Sequence, residues 1–194
     1  MPEMIYETIV TSIDEAGKPH VTPFGVRHEG EGDDMRIVIS PYKPSTTLNN
    51  ILASKCAVLN LTDDVRIFAG ALTKRQVWQL LETKQVKGFR LVDCLAHSEL
   101  SLLEVRDDEV RPTLIMKKIA DFNHKPFTGF NRAQAAVIEL AVLASRLHML
   151  PREKIETELQ YLKIAIDKTA GPREIEAWAW LVEKIEQYYI GNIT

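Results

Sequence analysis

The chain has 194 residues, of which 45% are hydrophobic and 26% charged, and carries a formal net charge of −3. That length suits one large domain, or one domain with an appendage, and can bury a core without disulfide staples. The slight acidity argues against a nucleic-acid binder, which shows a basic face, and no run of like charges reads as an electrostatic tail.

The opening MPEMIYETIV lacks the basic start and long apolar stretch of a signal peptide. Met4 to Ile13 predicts a strand, Asp14 to Pro19 a turn with Gly17 free to take positive φ, and His20 to Arg27 the return strand of a hairpin. Pro23 cannot donate to a ladder, so it marks an edge, a bulge or a break. Gly25 allows a close backbone approach, so a flat ligand could lie against Thr22 to Gly25; a bulge that bends a barrel strand is the compatible structural alternative. Glu29 to Asp34 is an acidic, exposed loop.

Arg36 to Ser40 is β-branched and predicts a strand. Pro41 and Pro44 stop regular structure, with Tyr42 and Lys43 between them. Ser45, Thr46 and Thr47 then precede Leu48, Ile51 and Leu52, which recur at helical spacing, and one of the hydroxyls is the expected N-cap. Cys56 to Leu61 is a second buried strand. A helix N-terminus offers unpaired N–H groups and partial positive charge; hydroxyls and Lys43 add to it, so the segment reads as a phosphate site. The alternative is a plain helix cap with Lys43 in water.

Asp63 and Asp64 solvate a loop or cap a helix more readily than they bind metal. Val65 to Leu72 is apolar and ambiguous in type. Thr73-Lys74-Arg75-Gln76 reads as a capping box, with Val77, Leu80 and Leu81 as the buried face of the helix behind it and Trp78 as packing or ligand wall. Leu91 to Ala96, Ser101 to Arg106 and Thr113 to Ala120 predict strands. At least six short strands joined by hairpins predict a closed or nearly closed antiparallel barrel, with no exposed edges.

From Phe122 onward the character changes. His124 to Gly129 is a linker, and Asn131 caps a helix that carries apolar residues on most sides and should therefore be central. The most apolar run, Ala135 to Ala144, is too short to span a bilayer and contains Glu139. Pro151-Arg152-Glu153 and Pro172-Arg173-Glu174 start two further helices. The expected division is residues 1–122, a barrel, and residues 123–194, three antiparallel helices.

Cys56 and Cys94 are the only cysteines and read as buried thiols of a reducing compartment. The histidines show no zinc spacing, and HExxH, CxxC, GxSxG, P-loop and GxGxxG motifs are all missing. No metal site is expected, and no catalytic residue stands out.

SPYKPSTTLNNI followed by CAVLNLTDD resembles the phosphate-binding segment of flavin reductase-like, FMN-binding split-barrel proteins. MIYETIVTSIDEAGKPHVTPFGV and GFNRAQAAVIELAVLASRLH narrow the resemblance to an uncharacterised FMN-binding family of archaea and methylotrophic bacteria, with a C-terminal helical domain. The resemblance implies an α+β fold, a split barrel followed by helices, in a cytoplasmic flavoprotein homodimer without nucleic-acid or membrane partners. It implies that Ser40, Lys43, Ser45, Thr46, Thr47 and Asn50 serve the phosphate and ribityl chain of FMN. Thr8, Thr22, Pro23, Phe24, Gly25 and Val26 would line the ring, and Asn60 and Thr62 would complete the ribityl contacts. Arg132 is a further candidate, for the phosphate or a substrate carboxylate, or as the partner of a buried acid such as Glu139. The implied activity is an FMN-dependent oxidoreductase on an unidentified small molecule. A flavin carrier or sensor, a pyridoxamine-phosphate oxidase-like enzyme, and an interaction protein with an empty barrel stand as alternatives. Deazaflavin and haem are alternative cofactors.

Overall fold

The computed structural model describes residues 4–191, so the first residues of MPEMIYETIV lie outside it. The chain divides into two compact units: residues 1–62 with 78–126, and residues 63–77 with 127–194.

The first unit is a closed barrel of six antiparallel strands in the order β1-β2-β3-β8-β7-β4, with β4 pairing back onto β1. The strands are β1 (Tyr6–Ile13), β2 (Pro19–Glu29), β3 (Arg36–Ile39), β4 (Cys56–Leu61), β7 (Ala96–Arg106) and β8 (Thr113–Asn123). Alternation sends Val10, Val26, Ile37, Ile39, Leu59, Leu100, Leu114 and Met116 inward. The helix α1 (Thr46–Ser54) adds Leu48 and Ile51 to that core.

Full pairing of β2 with β1 leaves only Arg27 to Glu29 to pair with β3. Pro23 therefore lies where one side of β2 has no ladder partner, which a residue lacking an N–H tolerates. The hairpin β5 (Leu80–Glu82) and β6 (Phe89–Leu91) forms a second sheet laid over β1 and β4. Asn60, wholly buried, holds it there: its Oδ1 accepts from the Leu91 N–H at 2.8 Å, and its Nδ2 donates to the Ile9 carbonyl at 3.3 Å. Thr11 Oγ1 donates to the Phe89 carbonyl. With both faces covered, β1 loses the alternation expected of a half-buried strand.

The second unit contains the three expected C-terminal helices, α3 (Arg132–Ser145), α4 (Arg152–Thr169) and α5 (Pro172–Gly191), and one more from mid-chain, α2 (Arg66–Thr73). α3 packs against all three others and buries Ala133, Val137, Leu140 and Ala144, as its wide apolar surface predicts. Val65 and Ala69 join the same core as Ile155, Trp178 and Leu181. Arg66 fixes α2 to α5 by bonding Asp64 at 2.6 Å and Glu176 at 3.2 Å. Residues 63–77, expected in the barrel, thus belong with the helices.

Other local expectations change. No helix follows Thr73; that residue ends α2, and Lys74 caps it in the left-handed conformation, so Thr73 to Gln76 is a helix exit and not a capping box. The strand expected at Leu91 to Ala96 is the end of β6 and a turn, and β7 runs on through His97-Ser98-Glu99. Pro172 is the first residue of α5, whereas Pro151 is the N-cap of α4.

The Asn131 side chain accepts from the N–H groups of Ala133 and Gln134 at 2.8 and 3.2 Å and donates to the Thr169 carbonyl at 3.0 Å. Asn131→Ala is expected to cost about 1–2 kcal/mol, the upper range for a cap. Urea unfolding followed by helical circular dichroism measures it.

Candidate functional site

The residues proposed from sequence separate by the geometry of the barrel. Thr8, Phe24 and Val26 lie on the inward face: Val26 is in the core, Phe24 packs on it, and Thr8 Oγ1 donates to the Phe24 carbonyl at 2.9 Å. Alternation puts Thr22 with them, its hydroxyl 2.9 Å from His20 Nε2, and puts Pro23 and Gly25 on the outer face. The contiguous run Thr22 to Val26 therefore does not form one wall.

The Ser45-Thr46-Thr47 run also divides. Ser45 is the N-cap, its Oγ accepting from the Leu48 N–H at 3.2 Å. Thr47 is buried, as is Asn50, whose Nδ2 donates to Ser12 Oγ at 3.0 Å. Thr46 alone of the three is exposed. Lys43 is exposed and paired with Asp107 at 2.9 Å, so it reaches a phosphate only by leaving that carboxylate. Both groups of Asn60 are taken up within the barrel, and Thr62 is half-buried. Arg132 is exposed at the start of α3 in the helical unit, and Glu139 is exposed too, so the expected buried acid is not Glu139.

What the fold does assemble is a cavity of about 330 Å³ on the outer face of the barrel, lined by Ile5, Gly25, Arg27, Ser40, Arg111 and Thr113. β2 supplies Gly25 and Arg27, the end of β3 supplies Ser40, and β8 with the turn before it supplies Thr113 and Arg111. Ser40 Oγ lies 3.3 Å from Thr113 Oγ1. Arg111 Nε donates to the Ser40 carbonyl at 3.0 Å, and its guanidinium sits 4.8 Å above the Tyr42 ring. A Cβ on Gly25 would come within 2.7 Å of Ile5 Cγ2, so the glycine lets the N-terminal strand close against β2 beside the cavity.

The β7–β8 turn is built to present Arg111. The Asp108 carboxylate accepts from the N–H groups of Arg111 at 2.6 Å and Val110 at 2.9 Å, and these two bonds hold it below the usual carboxylate range. The Val110 carbonyl accepts from the Lys43 N–H at 2.8 Å, which ties this turn to the segment after β3. The Lys43 ammonium, and then the Asp108 N–H, lower the Asp107 carboxyl.

Of the residues lining this cavity, the sequence reading names Gly25 and Ser40 and does not name Ile5, Arg27, Arg111 and Thr113. The only local signal for Arg111 is Asp108 three residues ahead, an Asx-turn pattern. A larger cleft of about 440 Å³ lies between α4 and α5, walled by Ile155, Leu159, Val182 and Ile185. Its Arg152 and Glu156 neutralise each other at 2.6 Å, so it offers less to an anion than the barrel cavity does.

Solved structures share this architecture. An FMN-bound protein from Methanosarcina mazei, described as DUF447, is 22% identical with a TM-score of 0.78, over 94% of this chain and 96% of its own. The 2-nitrobenzoate 2-nitroreductase NbaA of Pseudomonas fluorescens is 21% identical with a TM-score of 0.54, over 64% of this chain and 66% of its own. Flavoredoxin from Methanosarcina acetivorans is 13% identical with a TM-score of 0.52, over 63% of this chain and 74% of its own. The barrel is thus of the flavin reductase-like split-barrel type. No curated protein matches the chain. The family model described as "Protein of unknown function (DUF447) N-terminal domain" matches residues 6–124, and the one described as "Protein of unknown function (DUF447)" matches residues 131–183. The chain belongs to the DUF447 family.

Proposed function

We propose that this protein binds FMN and acts as a flavin-dependent oxidoreductase of small-molecule metabolism. The observation that carries the reading is the cavity in which Arg27 and Arg111 stand beside the hydroxyls of Ser40 and Thr113. Two guanidinium forks and two hydroxyls form a donor set for a phosphate monoester. Thr46 and Lys43 stand on the segment that follows Ser40 and extend that set, Lys43 after exchanging Asp107 for the ligand. The FMN-bound relative supports the same cofactor.

FMN supplies hydride and electron transfer at its ring. The residues of this chain bind and orient. Arg111 is held by Ser40 and Tyr42 before any ligand arrives, so little side-chain entropy remains to be lost. Ile5 and Glu7 already stand over the outer face of Gly25, so the flavin ring belongs beside that main chain and not on it.

At about 330 Å³ the cavity is near the small end of ligand sites, which run from about 300 to 1,000 Å³, and suits the phosphate and ribityl end only. The ring would extend over surface carrying Ile5, Tyr42 and Val110, each more than half exposed. Apolar surface around a cofactor site calls for cover, and a second copy of the chain is the cover we assign. A carrier, which passes electrons without turning over a substrate of its own, is the second reading. Among the described residues no helix is long and apolar enough to cross a membrane.

Flavin-fluorescence quenching with FMN and riboflavin in parallel tests the cofactor. Tight FMN binding with weak riboflavin binding is expected, and equal or absent binding of both overturns the assignment. Steady NAD(P)H oxidation by the loaded protein separates enzyme from carrier.

A further inference from the structure

On the far side of the hairpin β5–β6, three side chains that sequence spacing leaves unconnected come together. Cys94 stands in the turn after β6, His97 at the start of β7 and His124 just past the end of β8. Cys94 Sγ, one imidazole nitrogen of His97 and one of His124 all lie within 4.8 Å of one another. His97 Nδ1 is 2.8 Å from His124 Nε2, and the two rings are within 5° of parallel.

The surroundings of His97 give the cluster its meaning. The other ring nitrogen, Nε2, faces Glu99 Oε1 at 3.4 Å. That carboxylate is wholly buried and is itself fixed by the N–H groups of Lys84, Gln85 and Val86, at 2.9, 2.6 and 2.8 Å. Phe122 stacks on the imidazole at 4.7 Å. A carboxylate that accepts the Nε2 proton fixes the tautomer with the Nδ1 lone pair turned toward His124 and Cys94. Metal-ligating histidines are oriented by such a carboxylate. A hydrogen bond between two histidines needs no such support, nor a buried thiol at its side.

We propose that Cys94, His97 and His124 form a binding site for a zinc-class divalent cation, with Glu99 orienting His97. One thiolate and two imidazoles are a donor set selective for zinc-like ions over magnesium or calcium. Bonds of about 2.0–2.1 Å to nitrogen and about 2.3 Å to sulfur put tetrahedral ligand atoms roughly 3.3–3.6 Å apart. The cluster reaches that spacing when His97 and His124 part slightly and the Cys94 Sγ separation closes from as much as 4.8 Å, and His124 is exposed and able to move. Binding releases the Cys94 thiol proton, while the His124 proton passes from Nε2 to Nδ1, so both imidazoles stay neutral. The exposed side at His124 leaves the fourth position to water. The ion would staple the end of the β5–β6 excursion to β7 and β8.

The test uses the full chain, stripped with chelator and titrated with cobalt(II), then zinc. The expected result is one cobalt per chain with a thiolate-to-cobalt charge-transfer band, displaced by zinc. Cys94→Ser should abolish the band. His124→Ala, at an exposed position that leaves the core intact, should weaken cobalt at least about tenfold. Absence of stoichiometric binding, or affinity and band unchanged in both variants, overturns the site. Arg111→Ala should bind cobalt like the parent chain, so a failure of the flavin assignment and a failure of the metal site are read separately.

Discussion

Arg111→Ala is expected to weaken FMN binding by roughly 10- to 150-fold while leaving riboflavin within about threefold. The magnitude follows from one charged hydrogen-bond donor lost to an ionised phosphate, about 1.5–3 kcal/mol. Riboflavin has no phosphate and so barely registers the change. The arginine is exposed, and its bond to the Ser40 carbonyl is a surface contact, so the barrel should survive. Arg111→Lys should restore only part of the affinity, because an ammonium cannot reproduce the planar fork or its seat over Tyr42. Arg27→Ala is the companion variant and should act in the same direction. Parallel titrations of both flavins decide the matter. If Arg111→Ala loses FMN and riboflavin equally, the cavity holds some other part of the ligand, and the phosphate belongs near Thr46 and Lys43.

The largest stability effect is expected at Glu99. Its carboxylate has no exposure and accepts three backbone N–H bonds from the 84–86 turn. Glu99→Ala leaves those donors without a partner and opens a void beneath the hairpin. Each stranded buried donor costs about 1–3 kcal/mol, and water reaching the exposed Lys84 and Gln85 recovers some of that. A net loss of about 3 kcal/mol, or a fall in melting temperature on the order of 10 °C, is expected. The measurement belongs in excess chelator, which keeps bound metal from contributing. Glu99→Gln keeps the shape but turns an amide NH₂ toward N–H donors, so it should recover only part of the loss. A melting point within 2 °C of the parent for Glu99→Ala, roughly 1 kcal/mol or less at this chain length, would mean that the turn is held by its own hydrogen bonds, including Thr83 to Val86 at 2.7 Å.

Much of the architecture was written locally. The DEAGKP turn between two β-branched runs announces the first hairpin, the Ser45-Thr46-Thr47 run announces α1, and the apolar surface of α3 announces a central helix. What escaped reading depends on long-range placement. Glu99 and His97 look like a polar interruption in a strand, because nothing nearby reveals that the hairpin will cover that face. Val65 to Leu72 is ambiguous because the core that makes it helical is supplied some seventy residues later by α3 and some 110 residues later by α5. Thr73-Lys74-Arg75-Gln76 fits a helix start by composition, yet the left-handed turn at Lys74 makes it a stop. At the candidate site, Ser40 and Gly25 stand out by motif and by backbone freedom. Arg27 and Arg111 do not, since surface arginines are common and it takes the β2–β3 and β3–β8 pairings together to bring these two to one cavity.

The helical unit is drawn from two separate stretches of chain, and that limits how the protein can be rearranged in evolution or in the laboratory. A gene fragment ending after Asn123 would encode every barrel strand but also α2, with Val65 and Ala69 deprived of the helices that bury them. A fragment beginning at Asn131 would encode three helices with a gap where α2 belongs. Neither piece is a portable module, so fusion or shuffling at the apparent linker should yield sticky, poorly soluble products. The division that follows the two units takes 63–77 with the helices, a cut that only the folded molecule suggests.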